Sequence, residues 1–103
     1  MTLPLDKEGF LLNIDDWSPG VAKILANNEG IELQDDHWAV VDAIRKFYEQ
    51  TEVSLAMRPL VKLVHDDVDP LLGTSIALMR LFGESPAKMV AKISGLPKPA
   101  NCL

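Results

Sequence analysis

The chain of 103 residues contains one cysteine, Cys102, and no long apolar run. A single thiol cannot form an internal disulfide, so the fold does not depend on an oxidising compartment. No apolar stretch approaches the roughly 20 residues that a membrane-spanning helix needs. The first residues, Met1 to Asp6, have neither the basic start nor the apolar stretch of a signal peptide. We therefore expect a cytoplasmic protein that makes no contact with a membrane.

Positive charge is scarce as well. Ten basic side chains stand against 15 acidic ones, which gives a formal net charge of −5. This balance argues against a general nucleic-acid-binding protein, because contacts to phosphate are made mainly by Lys and Arg. A DNA-binding regulator built on short consecutive helices is therefore a weak alternative.

The known motifs of metal and cofactor sites are missing. There is no Gly-rich phosphate loop, zinc motif or pair of catalytic carboxylates. His37 and His65 stand in no metal-ligand spacing with each other or with Cys102, and we interpret both as surface or helix-capping residues. The acidic cluster at 66–69 does not have the Gly and distal Glu of a calcium loop. We expect no metal and no cofactor.

The pattern of caps and apolar residues predicts a mainly α fold of about five short helices. A small β-hairpin is expected before them, over Leu5 to Asn13. Caps and breakers predict the helix boundaries. The first helix runs from Ser18-Pro19 to Gly30, and the second has its cap at Asp35 or Asp36; the third starts at Ser54 or at Met57, since Pro59 allows either start, and ends in the 66–70 run. The fourth has its cap at Thr74, and the fifth runs from Ser85-Pro86 to Gly95.

The C-terminal tail cannot continue as helix, since Pro97 and Pro99 have no backbone N–H and restrict the residues before them. We therefore divide the chain into a helical domain, residues 1–95, and a flexible arm, residues 96–103, that carries Cys102. An extended arm places the thiol roughly 19 Å from the domain, at about 3.1 Å per residue. This geometry suits the presentation of a thiol inside the active site of another protein.

The end of the chain that carries Cys102 is locally basic. Residues 70–103 hold Arg80, Lys88, Lys92 and Lys98 but only one acidic residue, Glu84. Such a surplus favours an anionic sulfur species or an acidic partner surface. The alternative is that lysines near a helix C-terminus suit the helix dipole and need no partner.

The last 18 residues carry a resemblance to a known family. The run from Pro86 to Leu103, with Ile93-Ser94-Gly95-Leu96-Pro97-Lys98-Pro99 at its centre, closely resembles the C-terminal signature of the DsrC/TusE family of sulfur-relay proteins. The resemblance covers almost the whole chain. It includes Asp6 with Gly9-Phe10-Leu11, Asp16 to Ser18, Glu29 to Leu33, His37-Trp38, Arg45 to Tyr48, and Arg58 with Leu60-Val61-Lys62.

The resemblance implies a sulfurtransferase whose penultimate cysteine, here Cys102, accepts sulfane sulfur as a persulfide. Lys98 and Lys92 are the candidates to support the thiolate. DsrC has a second arm cysteine eleven positions upstream, where this chain has Ala91, so the pattern is that of TusE. The implied partners are a TusBCD-like persulfide donor and an MnmA-like thiouridylase in tRNA 2-thiouridine synthesis, with tRNA contacted at most indirectly.

Two segments depart from the family, and one of them is the N-terminal strand region, which is shorter than usual. The other is residues 74–79. Relatives typically have Asn-Ser-Arg-Tyr-Leu-Tyr where this chain has Thr74 to Met79, which makes the fourth helix more apolar. A DsrC-like paralogue in another sulfur pathway and a non-catalytic regulator or interaction protein with the same fold are therefore the alternatives. The sequence does not fix the oligomeric state.

Overall fold

The computed structural model describes residues 3–100, and within them the regular structure is helical. The described residues extend over 38 × 27 × 24 Å. None of their helices is both long and apolar enough to cross a membrane. In chain order the elements are a 3-10 helix, Ile14–Asp16, followed by α1, Pro19–Asn28; α2, Asp35–Thr51; α3, Met57–Asp67; α4, Ser75–Phe82; and α5, Pro86–Ile93. The predicted mainly α fold is confirmed.

Helix α5 lies at the centre of the fold. It packs against α1, α2, α3 and α4, and six of its eight residues are buried. Val90, Ala91 and Ile93 are completely inaccessible and belong to the main hydrophobic core. The element that precedes the C-terminal arm is therefore enclosed by the rest of the domain.

Several helix boundaries lie where the caps predict them. The Ser18 hydroxyl accepts a hydrogen bond from the Val21 N–H at 3.2 Å, and the Thr74 hydroxyl accepts one from the Ala77 N–H at 3.1 Å. Each satisfies one of the amides that a helix start leaves without an intrahelical partner. Pro86 occupies the first turn of α5, where a missing N–H removes no intrahelical bond.

The start of α2 differs from the prediction by one residue. Gln34 is the N-cap and Asp35 is already helical, so neither Asp35 nor Asp36 caps the helix. The capping contact comes from within the first turn, where Nδ1 of His37 accepts the Gln34 N–H at 3.0 Å. A first-turn imidazole therefore binds the amide of the N-cap residue, and an amide side chain, not a carboxylate, stands at the N-cap.

The start of α3 resolves the ambiguity created by Pro59. The helix begins at Met57 and not near Ser54. Pro59 thus falls in the first turn, where it removes no intrahelical hydrogen bond. The residues before it, with Leu55 buried in the core, run without regular structure.

The predicted N-terminal β-hairpin is not present in the described residues. Residues 5–11 instead form a tight turn closed by one isolated antiparallel bridge, between Leu5 and Leu11. The Asp6 carboxylate accepts the N–H groups of Glu8 and Phe10, both at 2.9 Å, and so takes the Phe10 N–H that a longer ladder would pair with the Asp6 carbonyl. Asn13 then caps the 3-10 helix and ends the segment before a second strand can extend.

Candidate functional site

The candidate site is the C-terminal arm and its attachment to the domain. Cys102, the predicted reactive thiol, lies outside the described residues. The structure describes the arm from Leu96 to Ala100 together with contacts that hold this part of the arm and its junction with α5. These contacts come from the end of α5, from the 3-10 helix region, from α2 and from the N-terminal turn.

The chain leaves α5 through a hydrogen-bonded reversal at Gly95. The Gly95 N–H donates to the Lys92 carbonyl at 3.1 Å, and the Leu96 N–H donates to the Ala91 carbonyl at 2.9 Å. Gly95 has a φ of 71°, the left-handed conformation that this helix-ending motif requires. Leu96 is only 1% exposed and belongs to the core. The first residue of the arm is thus packed as firmly as the helix before it.

Trp17 covers this reversal and imposes a second requirement for glycine. Its indole Nε1–H donates to the Ile93 carbonyl at 2.9 Å. A β-carbon added to Gly95 would lie 2.5 Å from Cδ1 of Trp17. The indole ring occupies the space that any other side chain at position 95 would need.

Arg45 of α2 completes the attachment. Its guanidinium donates a hydrogen bond to the Ser94 carbonyl and lies 3.8 Å from the centre of the Trp17 ring. Burial lowers the pKa of Arg45 from its ordinary value, and the nearby Glu49 opposes this effect. The group stays a cation at neutral pH, since the ordinary pKa of Arg is far above 7. Two carbonyls at the end of α5 are therefore satisfied by side chains from distant parts of the chain.

The described end of the arm is held differently. Lys98 Nζ lies 3.1 Å from Oε2 of Glu8, and Lys88 Nζ of α5 lies 3.3 Å from the same oxygen. Hydrogen bonds from Lys98 and Lys88 lower the pKa of the Glu8 carboxyl from its ordinary value. Pro99 is buried, whereas Pro97 and Lys98 are exposed. The arm from 97 to 100 thus lies against the domain through one ion-pair network and one buried proline. The division of the chain at residue 95 and the flexibility of the arm stay predictions.

Lys92 lies beneath the N-terminal turn. Its Nζ forms an ion pair with Oε1 of Glu29 at 2.7 Å and lies 5.2 Å from the centre of the Phe10 ring. The residue is only 8% exposed. Lys98 and Lys92, the two lysines predicted to support the thiolate, are thus each paired with a carboxylate of the same chain, and their role toward Cys102 stays a prediction.

An open groove of about 690 Å³ runs along the side of α5 that carries Lys88 and Lys92. It lies between the loop after α1 and the turn from α4 to α5. Lys88 and Lys92 line it together with acidic residues, Glu29 among them, and with the apolar side chains of Met79 and Met89. The groove therefore has mixed charge and no single ligand chemistry.

The two histidines have structural contacts. His37 is buried, and its Nε2–H donates to the Leu81 carbonyl at 2.7 Å while Nδ1 accepts the Gln34 N–H. The predicted capping role is correct for His37, although the residue is not on the surface. His65 is exposed and pairs with Asp66 at 3.0 Å. Within residues 3–100, no three His, Cys, Asp or Glu side chains come together in a way that could hold a metal ion.

Sequence reasoning missed the two acidic partners of the arm region. Glu8 and Glu29 pair with lysines of the basic C-terminal segment, whose charge the sequence left open between an anionic sulfur species or acidic partner and a complement to the helix dipole. The sequence does contain a signal for these pairs, because the first part of the chain is acidic and the last part is basic. The acidic residues of the first part can therefore serve as counterions for the lysines of the last.

The chain is similar to proteins of one family over its whole length. The model of the family described as "DsrC like protein" matches residues 1–103. "Sulfurtransferase TusE" of Buchnera aphidicola subsp. Schizaphis graminum is 45% identical over 98 residues, which cover 95% of this chain and 86% of that protein. "Sulfurtransferase TusE homolog" of Haemophilus influenzae is 44% identical over 98 residues, which cover 95% of this chain and 90% of that protein.

Solved structures give the same result. DsrC of Allochromatium vinosum, determined by NMR, matches with a TM-score of 0.87 and 38% identity, covering 96% of this chain and 88% of that one. The oxidized gamma-subunit of the dissimilatory sulfite reductase (DsrC) from Archaeoglobus fulgidus matches with a TM-score of 0.85 and 33% identity, covering 100% of this chain and 94% of that one. The predicted class of activity, a sulfurtransferase, is confirmed by the curated relatives.

Proposed function

The chain belongs to the DsrC-like family, and on that premise we propose that it is a TusE-like sulfur-relay protein which carries sulfane sulfur as a persulfide on Cys102. The observation that carries this proposal is the attachment of the arm. Gly95, Trp17 and Arg45 fix the point at which the chain leaves α5, so the thiol is carried on a segment with a defined origin. A carrier needs such an origin to deliver one atom into the active site of a partner.

The proposed reaction is an exchange between a thiolate and a persulfide, with no net oxidation. The Cys102 thiolate attacks the outer sulfur of a donor persulfide, the donor S–S bond breaks, and the donor cysteine leaves as a thiolate. Cys102 then holds the outer sulfur as Cys–S–SH. In the second step an acceptor thiolate attacks that outer sulfur, and Cys102 leaves as a thiolate. One sulfur atom has moved and the carrier is regenerated.

The single thiol determines how the sulfur is released. The resemblance places the second arm cysteine of DsrC at position 91, and here that residue is Ala91, fully buried within α5. A chain with one cysteine cannot displace its persulfide sulfur by closing an internal disulfide. Release therefore requires a nucleophile from outside the chain, for which we propose a cysteine of the acceptor, and we expect little turnover without a partner.

For the pathway we propose tRNA 2-thiouridine synthesis in the cytoplasm. The TusE-like arm with one cysteine supports this choice, with a TusBCD-like complex as the donor and an MnmA-like thiouridylase as the acceptor. The protein carries sulfur between these two and touches tRNA at most indirectly, in keeping with its net charge of −5.

The test is mass spectrometry of the intact protein after incubation with a persulfide donor. We expect the wild-type mass to increase by one sulfur atom and the Cys102→Ser variant to show no gain. The donor is checked in a parallel reaction with another sulfur carrier. If that carrier gains sulfur and the wild-type protein does not, the proposal is contradicted. Two measurements separate docking from chemistry: co-purification of Cys102→Ala with the acceptor, and sulfur transfer from the loaded wild type to the acceptor. A non-catalytic interaction protein would bind the acceptor in the first and transfer no sulfur in the second.

A second candidate is sulfur carriage in a pathway of the DsrC type, which the similarity to the two DsrC structures favours. The two candidates differ in the acceptor. Loaded protein carrying radiolabelled sulfur is offered in parallel to a thiouridylase with tRNA and to a dissimilatory sulfite reductase. Transfer of label only to the thiouridylase reaction supports the first candidate, and label only on the reductase supports the second.

A further inference from the structure

Glu8 connects the described end of the arm to the helix from which the arm departs. One carboxylate oxygen of Glu8 receives Lys98 of the arm at 3.1 Å and Lys88 of α5 at 3.3 Å. The second oxygen is 3.4 Å from Lys98. Two cations from different segments thus share one anion, and the arm is joined to α5 through it.

The turn that carries Glu8 is itself well fixed. The Glu8 N–H donates to the Asp6 carboxylate at 2.9 Å, which also accepts the N–H of Phe10. Phe10 is only 3% exposed and belongs to the core. The main chain at Glu8 is therefore attached to the domain by contacts that do not involve the arm.

The strength of this connection is intermediate. The side chains of Glu8 and Lys98 are 48% and 39% exposed, so each ion pair is solvated and weak by itself. Three charges in one network, together with the burial of the neighbouring Pro99, hold the arm better than one pair alone. Such a contact biases the position of the arm and is still easily broken.

We infer that Glu8 is a positioning residue for the arm, which holds the arm against α5 through Lys98 and releases it when a partner takes up the thiol. The inference rests on the proposed function only in that the arm carries sulfur. While Lys98 is bound to Glu8 its charge is neutralised. Released, Lys98 becomes an unpaired cation four residues before Cys102 in the sequence.

The single cysteine provides the probe for this inference. A nitroxide spin label attached to Cys102 of the full chain reports the motion of the arm through its electron paramagnetic resonance spectrum. In Glu8→Gln we expect the ratio of mobile to immobile label to rise by about two- to fivefold, as expected for the loss of weak exposed ion pairs. Added salt should raise this ratio in the wild type and leave it unchanged in Glu8→Gln.

Two further variants make the test specific. Asp66→Asn removes an exposed carboxylate that also contacts two side chains, those of Lys62 and His65, but on α3. It should leave the label spectrum unchanged. Lys98→Gln should mimic Glu8→Gln, and the double variant should add nothing further, since both changes break the same contact.

Three results would overturn the inference: a Glu8→Gln spectrum identical to that of the wild type, additive effects of Glu8→Gln and Lys98→Gln, or an equal effect of Asp66→Asn. Failure of the proposed function would look different. A protein that takes up no sulfur at Cys102 but releases its arm in Glu8→Gln refutes the sulfur carrier and leaves the positioning role intact.

Discussion

The root of the arm and its next residues are held by different forces, although they adjoin in sequence. At the root, residues 93–96, Trp17 and Arg45 bind carbonyls in a largely buried setting and Leu96 is packed in the core. Over residues 97–100 the contacts are an exposed ion pair and one buried proline. Buried hydrogen bonds are costly to leave unmade, whereas exposed ion pairs are lost at little cost. Firm attachment therefore extends through Leu96, and release is inexpensive only beyond it.

The largest expected effect is that of Gly95→Ala at the root. Alanine must adopt a φ of 71° and place its β-carbon 2.5 Å from Trp17. The left-handed backbone costs roughly 1–2 kcal/mol and the overpacking about 1–3 kcal/mol. We expect the free energy of unfolding, measured in urea, to fall by about 2–5 kcal/mol.

Gly30→Ala is the matched control for that variant. Gly30 has nearly the same φ, 73°, but a β-carbon there would meet no atom within 4 Å. It should cost only the backbone share, roughly 1–2 kcal/mol. Equal destabilisation by the two variants would show that the indole does not restrict position 95.

A smaller effect is expected for Arg45→Met. The substitution keeps most of the aliphatic length but leaves the Ser94 carbonyl without its donor and removes the cation above Trp17. An unsatisfied buried acceptor costs about 1–3 kcal/mol, and we expect unfolding in urea to show a loss of that size. Lys46→Met, on the adjacent exposed position of α2, should change stability by less than about 0.5 kcal/mol. A loss as small for Arg45→Met would mean that the root does not depend on this contact.

The parts of the molecule that the sequence predicts are those with local causes. Ser18, Thr74, Pro86 and Gly95 act within a few residues of their own position, and the helices begin and end where they indicate. The attachment of the arm has no local cause. Trp17 meets Ile93 across 76 residues, Arg45 meets Ser94 across 49, and Glu8 meets Lys98 across 90. Such pairs exist only after the helices have packed.

The N-terminal segment shows that a local cause can also be misjudged. The apolar residues around Phe10 favour a hairpin, but Asp6 and Asn13 bind nearby amides with their side chains and limit pairing to one bridge. Here the competition between side chain and ladder for the same N–H groups decides the outcome. The resulting turn places Glu8 beside the arm. The predicted hairpin did not indicate this position, and Glu8 was therefore not among the candidate functional residues.

The smallest effect is a dependence of the arm on pH. In the folded protein Lys98 and Lys88 lower the pKa of Glu8 below its ordinary value of 4.5. The contribution of the carboxylate is therefore fully present above the unfolded pKa and is lost as the pH falls through the lower, folded value. Acid therefore removes the negative charge that Lys98 and Lys88 share.

Spin-labelled wild-type protein should accordingly show a more mobile label as the pH falls from 6 to below about 4, the region around the ordinary Glu pKa. Glu8→Gln should be mobile at both ends of this range. Global stability is the wrong measurement here, because His65 and Lys62 lower the pKa of Asp66 as well and its contribution is lost in the same direction. Circular dichroism at each pH ensures that the label reports the arm of a folded protein. An equal increase in label mobility in Glu8→Gln at low pH would mean that a group other than Glu8 titrates. The exposed contact that holds residues 97–100 would then not depend on the Glu8 carboxylate.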